Sequence, residues 1–210
     1  MGFCKEGSLD ATVHYKARLV AKGYAQREDI DYNEVFSLIV RHSIIHILLA
    51  LVAQYEYELD RLDVKTAFLH GNLEEIYMTY PLGFRVVGKE KLVCKLQKSL
   101  YGLKQSSRQW YKRFNKFMIG CEYTMSSFDP CVYFHKLPSG EYIYFLLYVD
   151  DMLITLKNRS SIVKLKVQLS FEFEMKDPKE AKRILGMETE RDRMKEKVSL
   201  TQKAYLQKML

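Results

Sequence analysis

A chain of 210 residues, 48% hydrophobic and 13% aromatic, carries ample apolar material for one large domain or two small ones, which excludes a disordered or fibrous chain. Its four cysteines, at 4, 94, 121 and 131, form no C-x-x-C pair and no ligand-spaced cluster, which excludes a disulfide scaffold and a zinc module and fits a reducing compartment. The net charge is +7, but the stretch from Lys89 to Lys116 alone carries +8 and leaves −1 for the rest, a concentration that suits a polyanionic partner, with a solvated helix face as the plainer account.

No N-terminal stretch reads as a signal peptide, and the longest apolar run, Ile143 to Leu156, is too short for a membrane span and contains two aspartates. A soluble, cytoplasmic and unsecreted protein is expected. Glu6 stands where a myristoylation signal needs Ser or Thr, and the sequon Asn158-Arg159-Ser160 lacks a secretory route, so both read as chance.

In chain order, Arg41 to Tyr57 is apolar almost all round and predicts a helix packed on two sides. Leu59 to Phe68 predicts a strand ending near Thr66. Ser106 and Ser107 can cap a helix whose apolar stripe is Trp110, Phe114, Phe117 and Cys121, with Lys112, Arg113 and Lys116 off that face. Cys131 to His135 and Glu141 to Thr155 predict a meander of antiparallel strands. Ile162, Leu165 and Leu169 mark a helix over Ser160 to Phe171, after which Arg183 to Glu190 returns to strand character. The fold class is α+β, helices on a small antiparallel sheet.

Asp150 and Asp151 interrupt the run "FLLYVDDMLI". Burying an unpaired carboxylate costs several kcal/mol, so the pair needs a cation, hydrogen bonds or water. Successive strand residues point to opposite faces, so a hairpin turn at this place would settle both direction and charge. An exposed Asp-Asp turn needs no metal. Asp63, near the end of a second apolar strand, alters the balance: if the sheet sets that strand beside the hairpin, Asp63 and Asp150 gather at one edge with Asp151 close by, three acceptor-only groups on a site suited to two Mg²⁺ ions and nucleotidyl transfer.

The segments "YKARLVAKGYAQREDIDYNEVFS", "LDVKTAFLHGNLEEIYM", "KLQKSLYGLKQSSRQWYKRF", "DPCVYF", "LLYVDDMLI" and "EAKRILGMETERD" together resemble, in order, the reverse transcriptase of copia-type LTR retrotransposons. The resemblance runs from Tyr15 onward and implies a right-hand polymerase: partial fingers at 1–40, palm at 41–71, a fingers insertion at 72–104, palm again at 105–197 with the YVDD hairpin and a primer-grip-like strand, and a truncated start of the thumb at 198–210. It implies that Asp63, Asp150 and Asp151 are the catalytic and metal-binding carboxylates, for Mg²⁺ or for Mn²⁺ in its stead. Lys16, Arg18, Phe68 and Gln105 would contact the nucleotide, with the Phe68 ring excluding a 2′-hydroxyl. Gly102, Lys104, Arg108, Tyr148, Val149 and Gly186 would meet primer and template, and Lys176 would protonate the leaving pyrophosphate.

The implied partners are RNA and DNA template-primers, dNTPs, and the integrase and RNase H domains of a Pol polyprotein, in a cytoplasmic virus-like particle or the nucleus, with no membrane. Ser107 stands where the family has Pro, and Asn72 where it has Asp. Two other readings use the same residues: an inactive nucleic-acid-binding remnant, and a metal-dependent nuclease.

Overall fold

The structure, a computed structural model, describes residues 2–7, 13–32, 40–73, 75–81, 83–84, 87–88, 92–176, 183–184 and 187–209. In chain order the elements are β1 (Gly2–Gly7), β2 (Val13–Arg18), α1 (His42–Gln54), β3 (Glu58–Val64), β4 (Tyr77–Thr79), β5 (Val93–Lys95) and α2 (Ser106–Gly120). There follow β6 (Thr124–Met125), β7 (Val132–Lys136), β8 (Tyr142–Tyr148), β9 (Asp151–Leu156), α3 (Arg159–Glu172), β10 (Met175–Lys176), β11 (Arg183–Ile184), β12 (Met187–Asp192), β13 (Lys197–Thr201) and α4 (Lys203–Met209). The chain divides into two units, one of residues 1–37 with 67–115 and the other of 38–66 with 116–210.

The second unit is built on a six-stranded sheet in the order β10-β3-β9-β8-β7-β6, every neighbouring pair antiparallel. Its core gathers Leu62, Val64, Phe145, Leu147, Met152, Ile154 and Leu156, all buried. The helix α3 presents Ile162, Leu165 and Leu169 inward, as its spacing predicts, and Asn158 caps it by accepting from Ser160 N at 2.9 Å. The helix α1 buries Ile45, Leu48, Leu49 and Val52. Its first residues lack a side-chain cap of their own; the buried carboxylate of Asp129 accepts from Arg41 N at 3.2 Å and from Cys131 N at 2.9 Å. A separate three-stranded sheet, β11-β12-β13, completes this unit.

In the first unit β1 pairs with β2 and β4 with β5, both antiparallel. Gly102 holds a positive φ of 91°, and a Cβ on it would lie 2.2 Å from Ala21 O; a Cβ on Gly23 would lie 1.8 Å from Gly102 O. Two main-chain segments therefore touch where only glycines fit.

The stripe expected along α2 needs correction. Trp110, Phe114 and Met118 are buried, whereas Phe117 is half-buried and Cys121 falls just past the helix end. Steps of four bring Met118 beneath Phe114, and Phe117 instead meets Phe173 edge-on at 5.3 Å between ring centres. Nor is Ser106 spent as a cap: its hydroxyl accepts from Ser99 Oγ and donates to Leu100 O, each at 2.6 Å. The strand expected to end near Thr66 ends at Val64, and Thr66 takes a φ of 51° in the turn that follows.

Candidate active site

Between β8 and β9 only Val149 and Asp150 remain, a two-residue hairpin loop with Tyr148 opposite Asp151. Val149 takes a φ of 58°, a value that the first position of such a loop demands and that glycine ordinarily supplies. A β-branched side chain there stores on the order of 1–3 kcal/mol. The tip is tied down from the neighbouring strand, because Val64 N donates to Asp150 O at 2.9 Å.

Residues directly opposite in an antiparallel pair share a face of the sheet. The registers Tyr148↔Asp151, Asp151↔Asp63 and Asp63↔Lys176 thus lay one row across four strands: tyrosine, two aspartates, lysine. The sheet brings Asp63 and Asp151 together, 88 positions apart in sequence, as nearest cross-strand neighbours. Asp150 stands in the turn beside them and is half-buried.

Arg61 lies on the same face of β3 as Asp63, two residues earlier. Its Nε and Nη2 both donate to Oδ1 of Asp151, at 3.0 and 2.5 Å. The side chain of Asp63 makes no hydrogen bond or ion pair among the described residues. No group of three His, Cys, Asp or Glu is gathered there to hold an ion, again among the described residues. The chemistry of the donors nonetheless fits a hard divalent cation, which takes carboxylate oxygens and tolerates an incomplete protein shell. Arg61 was missed by sequence reasoning, although the period of two in "LDRLD" places it on the face of Asp63.

The remaining candidates lie as follows. Lys16 and Arg18 are on β2, opposite Cys4 and Gly2, with side chains outside the described residues. Phe68 sits in a 3-10 turn, Ala67–His70, its ring 4.9 Å from that of Tyr101. Gln105 Oε1 accepts from Gln26 Nε2 at 3.1 Å, and its Nε2 donates to Asp31 O at 3.3 Å. Lys104 is exposed, and its main-chain N donates to Gln26 Oε1 at 2.8 Å. Gln105 and Arg108 line a cavity of about 410 Å³ together with Asp31, Tyr32, Glu75 and Lys112. Gly186 lies outside the described residues.

The chain belongs to the reverse transcriptase (RNA-dependent DNA polymerase) family, which matches residues 3–210. Among curated proteins it is 51% identical over 199 residues to the retrovirus-related Pol polyprotein from transposon TNT 1-94 of Nicotiana tabacum, covering 94% of this chain and 15% of that protein. It is 38% identical over 192 residues to the Pol polyprotein from transposon RE1 of Arabidopsis thaliana, covering 90% of the chain and 13% of the relative, and similarly to that from RE2. The expected kinship with transposon reverse transcriptases is thereby met, as is the mixed α/β fold on an antiparallel sheet. The chain spans 13% to 15% of the length of these relatives. No helix among the described residues is long and apolar enough to cross a membrane.

Proposed function

We propose that this chain is the RNA-directed DNA polymerase core of a retrotransposon Pol polyprotein, adding dNTPs to a primer 3′-hydroxyl as a template directs. The observation that carries the reading is the register of Asp63 against Asp151 at the Val149-Asp150 turn. In this reading residues 41–71 and 105–197 are palm, 1–40 and 72–104 fingers, and 198–210 the opening of a thumb.

Asp63, Asp150 and Asp151 would hold Mg²⁺ or Mn²⁺, which when bound acidifies the primer hydroxyl and neutralises charge on the leaving pyrophosphate. The chain's own groups orient the reactants. Tyr148 and Val149, at the hairpin tip, border the primer end, with Gly186 and Lys104 on primer and template. Lys16 and Arg18 draw the triphosphate, Arg18 as a planar fork for phosphate oxygens. The Phe68 ring rejects a 2′-hydroxyl, and Gln105, Arg108 and the main chain at Gly102 meet the templating pair. Lys176, opposite Asp63, delivers the proton that pyrophosphate needs as it departs. The primer 3′-oxygen bonds to the α-phosphorus as the bond to the bridging oxygen breaks, and pyrophosphate leaves.

The test is extension of a DNA primer on an RNA template with Mg²⁺ by the 210-residue chain, alone and as part of a longer Pol polyprotein. Asp150→Asn is expected to abolish incorporation by at least about a thousandfold while leaving the fold intact. Extension that survives this substitution refutes the assignment. Integrase and RNase H segments are the proposed partners within the polyprotein, and a particle in the cytoplasm its proposed location.

A second reading is favoured by Arg61 occupying Asp151 and by exposed Lys112 and Lys116 on α2: a nucleic-acid-binding remnant without catalysis. It calls for salt-sensitive binding of RNA with no nucleotide incorporated in either form of the protein.

A further inference from the structure

Like charges directly opposite on neighbouring strands destabilise a sheet, and Asp63 and Asp151 are such a pair. The chain meets that repulsion with a cation of its own. The guanidinium of Arg61 places two N–H groups on one oxygen of Asp151, and both side chains are largely sheltered, 25% and 21% exposed. Charge-assisted bonds of this kind are strong, and the guanidinium stays charged throughout the working pH range.

Arg61 cannot leave by moving its backbone. Its residue is locked in β3 opposite Leu153, with Leu62 buried beside it. The side chain is long and reaches solvent, so its charged end can swing away while the strand stays in place. A divalent ion and a guanidinium cannot share one carboxylate oxygen without strong mutual repulsion. We propose, resting on the assignment of these aspartates as cation ligands, that Arg61 is a built-in counter-ion that occupies Asp151 until a divalent cation displaces it. Arg61 thereby sets the cation concentration at which the site loads. Apparent affinity falls by the fraction of time the oxygen is open: if it is open one tenth of the time, the ion binds about tenfold more weakly than it would to the bare pair.

The test is Mn²⁺ binding to the full 210-residue chain without nucleotide, followed by the electron paramagnetic resonance of free Mn²⁺. Arg61→Gln is expected to bind about tenfold more tightly than wild type, and Arg61→Lys, which keeps the charge but loses the fork, to fall between. Equal or weaker binding by Arg61→Gln, with binding that still depends on Asp63, overturns this inference alone. Binding that persists after Asp63→Asn in the Arg61→Gln background, or that is missing from both wild type and Arg61→Gln, overturns the aspartate assignment and this inference with it. The unsubstituted protein supplies an independent check should Arg61→Gln not fold. The Arg61 Nε–H resonance is expected to lose its protection from solvent exchange as Mg²⁺ is added, and a resonance unchanged at saturating Mg²⁺ overturns the displacement.

Discussion

Asp60 and Asp63 stand three residues apart on β3, on opposite faces, and their surroundings differ. Asp60 turns toward the packed side with Leu62 and Val64, is buried, and accepts from Lys166 of α3 at 2.7 Å. Asp63 turns to the half-open side, faces another carboxylate across the strand gap, and makes no side-chain bond among the described residues. One carboxylate is satisfied by the fold; the other makes no side-chain bond among the described residues. A buried, paired charge belongs to architecture, whereas two opposed acids, only one of them paired, suit a ligand-dependent site.

The widest break in that contrast comes from substituting each acid in turn. Asp60→Asn takes the countercharge from the sheltered Lys166 ammonium and is expected to cost about 3 kcal/mol in urea unfolding, against a change of less than about 1 kcal/mol, toward greater stability, for Asp63→Asn. Similar losses from both would erase the distinction between the two faces. A smaller effect sharpens it: Val149→Gly relieves the turn held at a φ of 58° and is expected to stabilise the chain by about 1 kcal/mol, read in the same urea unfolding.

The smallest effect lies away from the sheet, at the exposed pair of Glu75 and Lys95. The hydrogen bond from Lys95, and then its charge, hold the Glu75 carboxyl below its ordinary value of 4.5. A depressed carboxyl pKa stabilises the fold above that ordinary value, and the benefit disappears as pH falls through the lowered one. Glu75→Gln should therefore lower the melting temperature slightly at pH 7 and by less at pH 3, a difference that scanning calorimetry at the two pH values would read. A larger loss at pH 3 than at pH 7 would contradict that sign.

Much of this was legible from local pattern. A hairpin turn was one way to accommodate two aspartates in an apolar run, and the chain turns there. Ile162, Leu165 and Leu169 announce α3 by their spacing alone, and all three are buried. Asp63 was expected to gather with Asp150, Asp151 close by, whereas the register sets it opposite Asp151 with Asp150 in the turn, because periodicity says which face a residue takes and nothing of the register in which a neighbouring strand pairs. The same gap hid Arg61 on Asp151 and Lys166 on Asp60, contacts across 90 and 106 positions. On α2, Phe117 and Met118 are adjacent and both apolar, and the choice of Met118 as the buried residue is made by packing partners.

The touching glycines of the first unit set a rule for any descendant of this sequence. The obstruction a side chain at Gly23 or Gly102 would meet is a carbonyl oxygen, which every amino acid carries. No second-site change of side chain can make room for it. Loss of either glycine is thus a step without a suppressor, and the pair can serve as a marker that separates copies still folding this loop from copies drifting beyond repair.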